Sequence, residues 1–142
     1  MDKLIEQIKQ ARFIWIIGNG GSASTAEHFA TDLIKKGYPA IALSANTSVI
    51  TMIANDYGYE KIFSRQLEAL AFNVYPNEHL LISISCSGTS KNILEALKLQ
   101  EKLGFSVYKF ETFEKGDRDF GKLENKHLEF AHSVAKALED IS

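Results

Sequence analysis

The chain has 142 residues, of which 45% are hydrophobic, 16 are basic and 18 are acidic. This length suits one domain with a substantial core. The near-neutral charge gives no basic surface for nucleic acid or an anionic membrane. No apolar run could span a bilayer, residues 1–10 lack the apolar core of a signal peptide, and Cys86 is the single cysteine. We therefore expect one cytoplasmic domain without nucleic-acid or membrane partners.

Helical spacing of apolar residues predicts helices, and the short apolar runs between them predict buried strands. In chain order, we expect a helix at 2–11, a strand at 13–17, a helix at 24–36, a strand at 40–44, helical segments at 46–55 and 59–72, a strand at 80–85, a helix at 90–103, a strand at 105–110 and a helix at 123–138. Ser24 and Glu27 match a capping box, which would start the second helix. Gly37 should end it. Residues 111–119 are charged and show no pattern.

This alternation of strands and helices predicts an α/β fold, a three-layer sandwich with a central parallel sheet of four to five strands in flavodoxin-like order. If the first strand is central, the strand order reverses beside it. The loops that follow the first and third strands would then open side by side, where ligands bind in such sheets.

Both of these loops have an unusual composition. The glycine loop, residues 18–24, reads GNGGSAS, and the hydroxyl loop, residues 85–90, reads SCSGTS. Backbone amides at a helix N-terminus, joined by hydroxyl groups, can surround a phosphate without a cationic side chain. Serines and threonines that only cap a helix would explain either loop alone. Two converging loops favour a phosphate pocket.

Two other phosphate motifs fit less well. The start of the glycine loop resembles a dinucleotide fingerprint, but Gly21 is misplaced and Ser44 stands where an acidic residue would end the second strand. A Walker loop is excluded because the chain has no Gly-Lys-Ser or Gly-Lys-Thr sequence.

Candidate acid, base and metal-binding groups lie on two helices. His28 and Asp32 are four residues apart and share one helix face. Glu124 and His132 lie about two turns apart on one stripe of the last helix. These four groups could supply a general acid and base or bind a divalent metal such as zinc. His127 and Glu129 point away from that stripe, and solvated surface side chains remain the plainer interpretation of each group alone.

Three segments carry a resemblance to a known family: GNGGSASTAEHFATDL, YPAIALSANTSVITMIANDYGYEKIFSRQLEAL and LLISISCSGTSKNILEAL. They resemble the sugar isomerase (SIS) domain family, and specifically its phosphoheptose isomerase branch. The resemblance covers most of residues 12–104. It implies a parallel-sheet fold, conversion of sedoheptulose 7-phosphate to D-glycero-D-manno-heptose 7-phosphate in lipopolysaccharide heptose biosynthesis, a homo-oligomer (dimer or tetramer) with active sites at subunit interfaces, and a divalent metal, commonly zinc.

The resemblance also implies roles for individual residues. Those expected around the sugar phosphate are Asn19, Gly20, Gly21, Asn55, Asp56, Ser85, Cys86, Ser87, Ser90 and Glu124. Those expected to bind the metal are His28, Asp32, Glu124 and His132. Isomerisation would run through an enediol, with Asp32 as the base and His132 as the proton donor.

This sequence departs from the family pattern at several points. Asp32 stands for a glutamate and is shorter by one methylene, Glu124 stands for a glutamine, and Cys86 stands for a threonine and could be a thiol nucleophile or a space-filling residue. The single SIS domain, residues 1–142, looks shortened at the first helix and around 111–120. The alternatives are a non-catalytic SIS module that binds a phosphosugar or a protein, which the short ends and Asp32 favour, and an isomerase for a hexulose phosphate.

Overall fold

The four strands of the computed structural model, which describes residues 1–71 and 75–142, form one parallel sheet. The strands are β1 (Phe13–Gly18), β2 (Ala40–Ala42), β3 (His79–Ile84) and β4 (Ser106–Lys109), in the order β2-β1-β3-β4. β1 pairs with β2 and β3, and Gly18 lies opposite Ile84 at the end of the β1–β3 pair. The sheet order therefore reverses beside β1, as the sequence predicts.

Six α-helices cover the sheet in the described residues. They are α1 (Asp2–Gln10), α2 (Gly21–Lys35), α3 (Thr47–Tyr57), α4 (Ser64–Leu70), α5 (Lys91–Leu103) and α6 (Phe120–Ala137), with single 3-10 turns at Tyr59–Lys61 and Pro76–Glu78. None of the helices in this part of the chain is long and apolar enough to cross a membrane.

Alternate residues of β1 belong to different cores. Ile14 and Ile16 pack in a cluster with side chains of α1, α2 and α6, whereas Trp15 and Ile17 pack in a second cluster with side chains of α3, α4 and α5. Each fully buried side chain of this size stabilises the fold by about 1.5–3 kcal/mol. The result is the predicted three-layer sandwich, with α2 and α6 side by side on one face of the sheet.

The predicted elements are confirmed, with shifted ends. Segment 59–72 divides into a 3-10 turn and α4, and its last residue, Phe72, lies outside the described residues. The prediction for the start of α2 was wrong, because this helix begins at Gly21 and Ser24 already lies within it. The Glu27 carboxylate accepts a hydrogen bond from Ser44 Oγ at 3.3 Å. The capping box therefore does not form.

Candidate active site

The glycine loop connects the end of β1 to the start of α2 through only two residues. A Cβ atom at Gly18 would lie 2.6 Å from the carbonyl oxygen of Ser22, so strand and helix approach too closely for any side chain there. Gly20, the residue before α2, has φ of 54°, which glycine adopts at little cost. These two glycines place the N-terminus of a 15-residue helix directly at the end of the central strand. That helix end favours negative charge.

The hydroxyl loop connects β3 to α5 and forms hydrogen bonds within itself. Ser85 Oγ accepts a hydrogen bond from the amide of Gly88 at 3.0 Å, and Ser87 Oγ accepts one from the amide of Thr89 at 3.2 Å. Ser90 is the residue before α5, yet its hydroxyl makes no capping hydrogen bond. Helix capping alone therefore does not account for this run of hydroxyl groups.

The two loops enclose a cavity of about 240 Å³. Because β1 and β3 are neighbours in the sheet, the loops lie side by side at its carboxyl edge. The cavity is lined by Asn19, Gly20, Gly21, Ser22, Ile84, Ser85, Cys86, Ser87, Ser90, Phe120 and Glu124. Eight of the ten residues predicted to surround a sugar phosphate are in this lining. None of the lining residues is a lysine or an arginine, so the cavity would hold an anion through hydroxyl groups, amides and the helix end.

Glu124 is the charged side chain in this lining. It projects from α6, and a Cβ atom added to Gly21 would collide with its carboxylate. Gly21 is thus the residue that lets the Glu124 carboxylate approach the N-terminus of α2. The dipole of α2 stabilises the negative charge of Glu124 at this helix end. The same dipole would attract an incoming anion to the position that Glu124 occupies.

Asn92 holds the Asn19 side chain in place. Asn19 Nδ2 donates to Asn92 Oδ1, and Asn92 Nδ2 donates to Asn19 Oδ1, both at 2.8 Å. Asn92 is buried, and the Tyr59 hydroxyl donates a further hydrogen bond to Asn19 Oδ1 at 3.4 Å. Asn92, Tyr59 and Phe120 were not among the predicted site residues, since an isolated Asn, Tyr or Phe gives no signal without the fold.

Cys86 is buried in the cavity wall. Burial raises the pKa of its thiol, the charge of Glu124 raises it further, and a hydrogen bond with Ser22 partly offsets both effects. A nucleophilic cysteine requires a lowered pKa. The environment of Cys86 therefore favours the space-filling role.

A second cluster joins α2 and α6. Nε2 of His28 lies 3.0 Å from Nε2 of His132 and 3.5 Å from Oδ2 of Asp32. The three ligand atoms all lie within 4.8 Å of one another. Two histidines and a carboxylate are typical zinc ligands, and ligand atoms around a tetrahedral zinc ion are about 3.3 Å apart. The two shortest distances in the group bracket this value, so His28, Asp32 and His132 fit a divalent metal.

Other predicted residues lie outside this cluster. Glu124 does not belong to it, because it precedes His132 by about two helical turns and faces the cavity. Asn55 and Asp56 lie near the end of α3, exposed, with a hydrogen bond of 3.0 Å between them, and neither lines the cavity. His127 is buried, and its Nε2 lies 2.6 Å from the carbonyl oxygen of Glu111. His127 therefore has a structural role, which agrees with its position away from the helix stripe of Glu124 and His132.

Comparison with known proteins places this site in a family. The model of the SIS domain family matches residues 1–110. The phosphoheptose isomerase of Campylobacter concisus is 36% identical over 95% of this chain and 79% of its own length. That of Helicobacter pylori strain P12 is 47% identical over 84% of this chain and 61% of its own length.

A solved structure agrees with these relatives. The phosphoheptose isomerase from Neisseria gonorrhoeae superposes with a TM-score of 0.84 at 28% identity, covering 95% of this chain and 80% of the other. The match extends to the C-terminal half of the chain, where the sequence resemblance is weaker. The chain therefore belongs to the SIS domain family and, within it, to the phosphoheptose isomerase branch.

Proposed function

We propose that this protein isomerises sedoheptulose 7-phosphate to D-glycero-D-manno-heptose 7-phosphate. The observation that carries the proposal is the pairing of two chemically different sites along the same two helices. Near their N-termini, Gly21 of α2 and Glu124 of α6 meet at the cavity between the two loops. About two turns further along both helices, His28 of α2 and His132 of α6 meet in the acid–base group.

The separation of these sites suits a seven-carbon sugar phosphate. Gly21 and His28 are seven residues apart on α2, and Glu124 and His132 are eight apart on α6, which corresponds to about 10–12 Å along a helix. An extended chain of seven carbons spans on the order of 8 Å before its phosphate is added. A substrate whose phosphate lies in the cavity would thus present its carbonyl carbon near Asp32 and His132.

In this arrangement, the Asp32 carboxylate takes the proton from the carbon beside the carbonyl, and His132 donates a proton to the substrate oxygen, which gives an enediol. Return of the proton from Asp32 to the neighbouring carbon, while the hydroxyl on the other enediol carbon gives its proton back to His132, completes the aldose–ketose exchange. The hydroxyl loop holds the far end of the substrate, so that binding energy orients the reacting carbons. Asp32 reaches about 1.5 Å less far than a glutamate would, and a misplacement of about 1 Å can cost two decades in rate.

The cofactor we propose is zinc, which His28, Asp32 and His132 would hold. With one Asp32 oxygen and the Nε2 atom of His132 as ligands, the second Asp32 oxygen would remain to act as the base, and the Nδ1–H of His132 would remain to donate the proton. Three protein ligands leave a coordination position open, as in catalytic zinc sites. When bound, the ion would supply Lewis-acid polarisation of the substrate oxygens. Glu124 as a fourth ligand stays a prediction from the resemblance.

We also propose a homo-oligomer in the cytoplasm. Asn55 and Asp56 are exposed and outside the cavity of their own chain, which suits a contribution to the site of a neighbouring copy.

Replacing Asp32 with glutamate separates an isomerase from a binding module. Asp32→Glu restores the reach of the base, so turnover of sedoheptulose 7-phosphate should rise, whereas Asp32→Asn should abolish it. A binding module would show no turnover in either variant or in the unmodified chain. Equal turnover in all three proteins would contradict Asp32 as the base.

A further inference from the structure

Phe120 differs in chemistry from the rest of the cavity lining. It is the one aromatic residue among those that line the described cavity, and the residue is 52% exposed. A large exposed apolar ring beside glycines, hydroxyl groups and a carboxylate does not help to bind a phosphate. Ligand pockets commonly pair a few polar anchoring groups with apolar walls that contact the carbon skeleton.

The backbone holds Phe120 firmly at this position. It is the first residue of α6, and the preceding Asp119 caps the helix by accepting a hydrogen bond from the amide of Lys122 at 3.1 Å. A capped helix start fixes the direction in which the first side chain leaves the backbone. Phe120 is therefore presented by a rigid element.

A second phenylalanine supports the ring. Phe113 and Phe120 pack edge to face, with centroids 4.9 Å apart and ring planes at 90°. Edge-to-face pairs of this kind are favourable beyond simple area burial. The amide of Phe113 donates a hydrogen bond of 2.8 Å to the carbonyl oxygen of Cys86, in the hydroxyl loop. Segment 111–119, which lacks a pattern in the sequence, thus links the aromatic pair to the loop that would hold the phosphate.

We propose that Phe120 is the apolar wall against which the carbons next to the phosphate pack, and that it determines affinity for the sugar part of the ligand. This inference rests on the proposed function for the identity of the ligand. Phe120 does not take part in proton transfer. Its role is to position a chain whose phosphate is held by the hydroxyl loop.

The test compares two ligands that share a phosphate. Binding of sedoheptulose 7-phosphate and of inorganic phosphate is measured by isothermal titration calorimetry for the unmodified protein, Phe120→Ala, Phe120→Leu and Phe113→Leu. Phe120→Ala should weaken sugar phosphate binding about tenfold, the equivalent of about 1.4 kcal/mol, and leave phosphate binding unchanged. Phe120→Leu should recover part of the loss, and Phe113→Leu should show a smaller loss. Ile34→Ala, which removes an exposed side chain of α2 outside the cavity, is the matched control.

Three results would overturn the proposal. Equal weakening of both ligands would mean that Phe120 only maintains the shape of the cavity. Unchanged binding of both ligands would mean that the ring does not contact the sugar. Failure of the unmodified protein to bind the sugar phosphate would mean that this compound is not a ligand of the cavity. Binding without turnover would contradict the isomerase proposal alone, because the comparison of affinities does not require catalysis.

Discussion

Asn19 and Asn92 form a reciprocal amide pair between the glycine loop and the first turn of α5, with both hydrogen bonds at 2.8 Å. The pair therefore links the glycine loop to the helix that follows the hydroxyl loop. With its oxygen shared between Asn92 and Tyr59, the Asn19 side chain has a single orientation, and one N–H of its amide is left for a ligand.

Replacing Asn92 with aspartate should remove one of the two hydrogen bonds of this pair without changing the size of the side chain. A carboxylate can accept from Asn19 Nδ2 but cannot donate to Asn19 Oδ1, and a buried charge with incomplete hydrogen bonding also costs about 2–4 kcal/mol of folding stability. We expect KM for the sugar phosphate to rise about tenfold, with a lower melting temperature. Asn125→Asp makes the same chemical change at an exposed position of α6 and should alter neither value. Unchanged KM in Asn92→Asp would show that the pair does not hold Asn19 for the substrate.

His28 and His132 should be required for metal binding. Cobalt(II) reports its own coordination through visible absorption, so the measurement does not depend on activity. His28→Ala and His132→Ala should each weaken cobalt binding by at least about 100-fold, since even partners outside the ligand shell are worth ten- to a hundredfold. Glu129→Gln, which neutralises an exposed carboxylate of the same helix, should bind like the unmodified chain. Tight cobalt binding by both histidine variants would place the metal elsewhere.

Glu124 should oppose phosphate binding. Its carboxylate lines the cavity, and two negative groups a few ångströms apart repel each other in a partly desolvated site. Glu124→Gln should therefore lower KM for the sugar phosphate severalfold. Zinc affinity should stay the same, because Glu124 lies outside the cluster of His28, Asp32 and His132. A fall in zinc affinity would instead identify Glu124 as the fourth ligand that the family resemblance implies.

Cys86 should react slowly with alkylating reagents. Only the thiolate reacts, and burial followed by the charge of Glu124 raises the pKa of this thiol, so less thiolate is present at neutral pH than in an unfolded chain. Labelling by iodoacetamide should be much slower in the folded protein than in urea, and should accelerate only at pH values above the usual thiol range. Glu124→Gln removes one cause and should increase the rate modestly. Labelling of the folded protein at the unfolded rate would contradict the burial of Cys86.

The strand order and the cavity were predictable because their signals are local. Five consecutive apolar residues before Gly18, and the serine-rich run after Ile84, each mark a strand followed by a helix start. Parallel pairing then brings the two loops together. The helical spacing of His28 and Asp32 likewise placed these two side chains on one helix face, and the family resemblance implied that His132 of the last helix joins them.

The contacts that the sequence did not reveal depend on long-range packing. The Asn19–Asn92 pair joins residues 73 positions apart, and Phe113 reaches the hydroxyl loop through its backbone amide, which no side-chain pattern can encode. The capping box at Ser24 failed because Gly18 and Gly20 allow the helix to start earlier. Glu124 and His132 share a helix stripe, but two turns separate them, so the stripe serves two sites instead of one.

The most direct test of the account is turnover of sedoheptulose 7-phosphate by the purified protein, with and without added zinc, followed through formation of the aldoheptose phosphate. An isomerase should form product, and this product should be lost in Asp32→Asn and His132→Ala although both variants still bind the sugar phosphate in the cavity. A folded protein that binds the sugar phosphate and forms no product at any zinc concentration would contradict the isomerase assignment.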